Sequence, residues 1–155
     1  MKGNEKIIER LNSLLADELT AVSQYIVHSE MCDNWGYKRL AGLIKQRAIG
    51  EMKHAEKLIE RILFLEGTPA VGILNRISIG NNIEMQFKND QVAETDAVKM
   101  YNDSIRLCSE LGDHGTRDLL ESILEDEETH LDWLETQVEQ IKQLELKNYL
   151  VEQTH

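Results

Sequence analysis

The chain has 155 residues, of which 29% are charged and only 5% aromatic, with a formal charge of −11 and a single proline, Pro69. This length fits one domain with a sizeable core, and the composition favours long amphipathic helices over a sheet protein. Acidity without any basic block excludes a nucleic-acid partner, no run reaches the apolar length of a membrane span, and the isolated thiols Cys32 and Cys108 make neither a disulfide framework nor a zinc motif.

The opening Met1-Lys2-Gly3-Asn4-Glu5 has no signal-peptide core, so the expected location is the cytoplasm. Apolar residues then recur at three-and-four spacing in four long segments. The first is predicted from about Glu5 to Asp33, with Leu11, Leu15, Val22 and Tyr25 on one stripe, and ends at Asp33-Asn34-Trp35-Gly36. The second runs from about Lys38 to Leu65 with Leu40, Leu43, Ile44, Leu58, Ile62 and Leu65, and Gly67-Thr68-Pro69 stops it. Residues 70–82, with Gly72, Gly80 and the pair Asn81-Asn82, read as a connection. Its length suits a crossover that lets the flanking helices run parallel.

The third segment is predicted from about Ile83 to Leu111 with Phe87, Val98, Tyr101, Ile105 and Cys108, and breaks at Gly112-Asp113-His114-Gly115. The fourth follows to about Leu144 with Leu120, Ile123, Leu134, Val138 and Ile141, and a short fifth covers about Leu146 to Gln153. The expected fold is all-α: a four-helix bundle with a long crossover between its second and third helices and a short C-terminal helix.

Two Glu-x-x-His motifs, Glu51-Met-Lys-His54 and Glu127-Glu-Thr-His130, each have a glutamate 33 residues upstream, Glu18 and Glu94. All three positions recur at an offset of 76, as do Tyr25/Tyr101 and Cys32/Cys108. Residues at i and i+3 share a helix face and can grip one ion. A lone Glu-x-x-His in an acidic helical chain is usually a solvated face. Here, however, Glu18 continues the row Leu11, Leu15, Val22, and Glu51 and His54 lie between Ile44 and Leu58. Glu94 lies between Phe87 and Val98, and Glu127 and His130 separate Ile123 from Leu134. Carboxylates turned into a core are costly unless paired or metal-bound. Two divalent ions balance four carboxylates, and the mixed N/O donor set suits iron or manganese. This set is the known ligand pattern of ferritin-like di-iron carboxylate proteins.

The chain resembles the bacterioferritins over its full length. The resemblance is carried by Met1-Lys2-Gly3, Gln24-Tyr25, Asn34-Trp35-Gly36, Glu51-Met52-Lys53-His54-Ala55, Arg61-Ile62-Leu63-Phe64-Leu65-Glu66-Gly67, Trp133-Leu134-Glu135 and Asn148-Tyr149-Leu150. It implies one ferritin-like di-iron domain over residues 1–155 that stores and detoxifies iron, with ferroxidase activity. Two iron ions per subunit are implied, with Glu51 and Glu127 bridging them, Glu18 and His54 completing one ion's ligands and Glu94 and His130 the other's. Fe(II) is oxidised by dioxygen or hydrogen peroxide, and mineral is stored in a hollow homo-oligomeric shell of 24 subunits built from dimers. Met52 is implied as the axial ligand of a haem shared between two subunits, and a ferredoxin as the reductant for iron release.

Some positions depart from the family's pattern. Gln46 and Gly50 stand where many relatives carry His and Asp, so no auxiliary inner-surface iron site is expected. Thr68, Asn81 and Met85 replace residues of the usual ferredoxin contact, while Glu66, Asp132 and Glu139 are candidate pore acids. Tyr25, on the same stripe as Glu18, is a candidate electron or hydrogen-bond donor, and Trp133 a candidate electron relay. Tyr101 is read as core, and His28, His114 and His155 are given no metal role. The rival readings are a storage subunit with little ferroxidase turnover, another ferritin-like di-iron oxidase or peroxidase, and a plain helical interaction module. The last is the weakest, because inward Glu and His would destabilise a bundle without metal.

Overall fold

The computed structural model describes residues 1–155. Helix α1 spans Glu5–Asn34, α2 Lys38–Phe64, α3 Ile83–Glu110, α4 His114–Leu144 and the short α5 Leu146–Val151. Three of the long helices begin where a side chain satisfies an otherwise unpaired amide: Asn4 accepts from Lys6 N–H, Asn82 from Met85 N–H and Asp113 from Thr116 N–H. The expected break at residues 112–115 is therefore shorter than its composition suggests. With Asp113 as the cap, His114 and Gly115 already belong to α4. The last helix stops at Val151, two residues before the expected end.

Both hairpin turns are built alike. Past the ends of α1 and α3, Gly36 (φ 88°) and Gly112 (φ 75°) take the left-handed conformation. The amides of Tyr37 and Asp113 then fold back onto the carbonyls of Cys32 and Cys108, each at 2.9 Å. The glycine pair obeys the same 76-residue offset as the cysteine pair.

The hairpin α1–α2 packs against α3–α4, with α1 facing α3 and α2 facing α4. Cross-links Glu18–Tyr101 and Tyr25–Glu94 show α1 and α3 antiparallel, and His54–Asp126 and Arg61–Thr116 show the same for α2 and α4. Hence α2 and α3 run parallel, and the chain must retrace the length of α2, whose 27 residues extend roughly 40 Å. Residues 65–82 make that return along α1. Ala70 N–H donates to Asn12 Oδ1 (2.8 Å), Asn75 N–H to Thr20 Oγ1 (2.9 Å), Ser78 N–H to Gln24 Oε1 (3.0 Å) and Gly80 N–H to His28 Nε2 (3.0 Å). One polar row of α1 thus satisfies backbone that has no helix or strand partner. A side chain at position 80 is excluded, because its Cβ would lie 2.3 Å from the Gln86 amide nitrogen.

The apolar interior forms two clusters. One gathers Ile7, Leu11, Leu58, Ile62, Leu120 and Ile123 at one end; the other gathers Cys32, Leu40, Ile44, Phe87, Leu134 and Ile141 at the opposite end. A layer of buried acids lies between them.

Candidate metal centre

Each long helix contributes to that layer near its middle: Glu18 from α1, Glu51 and His54 from α2, Glu94 from α3, and Glu127 and His130 from α4, all buried. Their donor atoms form two groups, Glu18/Glu51/His54/Glu127 and Glu51/Glu94/Glu127/His130, and within each group the atoms lie within 4.8 Å of one another. The six residues picked out by their spacing converge, and Glu51 and Glu127 are common to both groups. Met52, the next residue along α2, faces away from the centre and is 41% exposed.

Both tyrosines reach across the bundle. Tyr25 is a hydrogen-bond donor, as its position suggests, and its hydroxyl donates a short hydrogen bond to Glu94. Tyr101 is more than core packing, since its hydroxyl donates to Glu18 Oε1 at 2.5 Å. Each tyrosine therefore steadies the outer glutamate of the opposite hairpin. The His130 ring lies edge-on to Tyr25 (centroids 5.5 Å apart) and stacks on the half-buried Trp133 (6.0 Å). His28 joins no metal group: its Nδ1 meets Asp90 at 3.0 Å while its Nε2 holds the Gly80 amide.

Two residues of the centre were not anticipated. Arg47, one turn before Glu51, places Nη2 2.5 Å from Glu51 Oε1 and 3.4 Å from Glu127 Oε2. Asp126 accepts from His54 Nε2 at 2.9 Å, which turns Nδ1 toward the carboxylates. The position equivalent to Asp126 in the other half is Gly50, so His130 has no such outer carboxylate. Arg47 had a legible signal, the i,i+4 spacing to Glu51. Asp126 had none, being an exposed acid beside many others.

Burial and crowding set the protonation of the metal-free centre. Burial, then the neighbouring charge of Glu51, pushes the Glu18 carboxyl well above its usual range. Burial, then the close Glu94 carboxyl, pushes Glu127 far up. Burial would also raise Glu51, but the adjoining Glu18 carboxyl and His54 imidazole and the Arg47 charge hold it below the usual range. Glu94 is raised by burial too, and is held down on balance by the close Glu127 carboxyl and His130 imidazole. Burial opposes a charge on His54, yet the nearby Glu18 and Glu51 carboxyls, 3.6 and 3.8 Å from Nδ1, raise its pKa to about 10. The nearest carboxyl to its Nδ1, Glu127 at 3.1 Å, is one of the two that are pushed up. The crowded carboxyls thus divide into two pushed up, Glu18 and Glu127, and two held down, Glu51 and Glu94, with the cationic Arg47 beside Glu51.

Glu18 Oε2, Glu94 Oε2 and His130 Nδ1 are buried without a hydrogen-bond partner. Nδ1 of His130 is 2.9 Å from Glu94 Oε1 but lacks hydrogen-bond geometry. Unpaired buried donor atoms of this kind are costly in an ordinary core. They are the atoms a cation would take, and hard carboxylate oxygens with imidazole nitrogen fit iron or manganese. A cleft between α1 and α3, lined by Asp17, Glu18, Tyr25, Glu51, Glu94 and Asp96, reaches the centre from the surface.

Comparison with known proteins agrees with this arrangement. Residues 8–144 match the family model of the ferritin-like domain. The chain is 42% identical over 149 residues to a bacterioferritin of Brucella melitensis, covering 96% of this chain and 92% of that protein. It is 44% identical over 138 residues to a bacterioferritin of Rhodobacter capsulatus, covering 89% and 86%. A bacterioferritin of Mycobacterium tuberculosis is 40% identical over 144 residues, covering 93% and 91%. With its four-helix bundle, its crossover and its paired Glu-x-x-His motifs, the chain belongs to the bacterioferritin family.

Proposed function

We propose that this chain stores and detoxifies iron as a ferroxidase, with residues 1–155 forming one ferritin-like di-iron domain. The observation that carries the reading is the pair of four-residue groups that share Glu51 and Glu127, with donor atoms left unpaired in a buried layer. Fe(II) is the substrate. Glu18 and His54 complete the ligands of one ion, Glu94 and His130 those of the other, and Glu51 and Glu127 bridge them. Two ions held side by side let one dioxygen take one electron from each, with two protons completing hydrogen peroxide. Peroxide accepts two further electrons in the same way and leaves as water.

The protein's part is to hold and to release. Tyr25 and Tyr101 fix the outer glutamates, and Asp126 keeps the Nε2 proton of His54 so that Nδ1 is free for the ion. Glu18, Glu127 and His54 give up their protons as Fe(II) arrives through the acidic α1/α3 cleft. Fe(III) then passes to a mineral inside a hollow homo-oligomer of 24 subunits, and an external electron donor such as a ferredoxin drives its release. No helix is long and apolar enough to cross a membrane, and we assign the assembly to the cytoplasm. Met52, which is exposed, would hold a haem shared by two subunits, supplying its thioether sulfur to the iron.

The test is an anaerobic Fe(II) titration of metal-free protein followed by oxygen. A fast phase saturating at two Fe(II) per subunit is expected, together with its loss in Glu127→Ala. Slow oxidation without saturation would leave a storage-only subunit, and a wild-type rate in the variant would remove Glu127 from the oxidation site.

A further inference from the structure

Arg47 is an unexpected component of a site meant for cations. Its guanidinium lies at the α2/α4 side of the centre, with Nε 3.0 Å and Nη2 2.5 Å from Glu51 Oε1, and Nη2 3.4 Å from Glu127 Oε2. The two carboxylates it touches are the two shared by both ligand groups. They are buried almost completely, whereas Arg47 keeps 19% of its side chain in contact with solvent. A small pocket lined by Leu43, Gln46, Thr129, His130 and Trp133 adjoins it.

From this geometry we propose that Arg47 is an internal competitor for the metal: it holds Glu51 and Glu127 in the metal-free centre and must withdraw when divalent ions enter. This inference rests on the metal-binding reading above. In the metal-free state Arg47 supplies positive charge that the ions will later supply, so the shared carboxylates stay ordered. In the loaded state two divalent ions already balance four carboxylates, and a guanidinium at 2.5 Å would be surplus positive charge in a poorly solvated layer. A carboxyl or imidazole group can give way to an ion by releasing a proton to water. Arginine keeps its charge, so it yields only by moving. Arg47 already meets solvent and itself lines the adjoining pocket, beside Gln46 and Thr129. The centre therefore binds ions less tightly than its six ligands alone would, by an amount that does not depend on proton release. A site that passes its ions onward benefits from this, because the returning guanidinium helps displace them.

The deciding experiment measures Co(II) binding to metal-free protein, by calorimetry and by ligand-field absorption, in wild type, Arg47→Gln and Arg47→Lys. Arg47→Gln should bind Co(II) about tenfold tighter or more, at unchanged stoichiometry. Its metal-free form should melt at a lower temperature than wild type, because Glu51 loses its partner. Arg47→Lys keeps the charge and should stay near the wild-type affinity. Equal or weaker binding by Arg47→Gln would overturn the inference, as would Arg47→Lys binding as tightly as Arg47→Gln, since packing rather than charge would then set the affinity. Failure of the metal-binding reading looks different: neither wild type nor either variant would take up two Co(II) per subunit.

Discussion

Among single residues, His54 couples the centre most directly to pH. Its folded pKa of about 10 lies above the ordinary value of 6.5, so its stabilising contribution is complete below about 6.5 and is lost as pH rises toward 10. The protons on Glu18 and Glu127 act in the same direction. The melting temperature of metal-free protein should therefore fall from neutral pH toward about pH 10, and less steeply in His54→Gln. Identical slopes in the two proteins would show that His54 is not charged in the metal-free fold. The six donor residues were legible in the sequence because each interrupts an apolar stripe at a position where a hydrophobic residue is due. The partners of the tyrosines were not, because a tyrosine on a core stripe has the periodicity of packing, and only the cross-bundle register shows which carboxylate its hydroxyl meets. Periodicity likewise assigns Asp126 to the solvent side, and it takes the turn of the His54 ring to bring it into use.

At the scale of elements, the four long helices lie close to where periodicity and breakers placed them, and the error at the start of α4 came from counting Gly115 as a stop when Asp113 was already a cap. The path of residues 65–82 along α1 was not legible. Asn12, Thr20, Gln24 and His28 look like a solvated helix face, and their true partners are backbone amides more than fifty residues away. The junction of α4 and α5 has a cost of its own: Glu145 sits at φ 67° and ψ 149°, a region that side-chain-bearing residues avoid. Glu145→Gly should stabilise the folded chain by about 1 kcal/mol despite the added freedom of its unfolded state. Thermal melts would check this, and an unchanged or lower midpoint would mean that contacts of the Glu145 side chain outweigh the strain.

In the whole molecule, the feature unexplained by one subunit is the apolar surface left uncovered. Ile26, Ile49 and Met52 on the first hairpin and Val71, Ile73 and Leu74 on the crossover are all exposed, although the interior already holds two well-filled clusters. Large exposed side chains in such numbers suit a subunit of an assembly. If a haem lies across one of these contacts, protein purified with haem should lose its Soret band in Met52→Leu while the dimer persists; a band that survives would release Met52 from that role. The crossover strap has one more consequence, for the chain's history. It is hydrogen-bonded to α1 and has no counterpart along α3, where Lys88, Asp96, Met100 and Ser104 occupy the positions equivalent to Asn12, Thr20, Gln24 and His28. Had the two hairpins descended from one ancestral gene segment, this face would be where their kinship is erased first. Family likeness between the halves would then survive only at the ligands, the tyrosines and the turn glycines, the places where both halves still perform the same task.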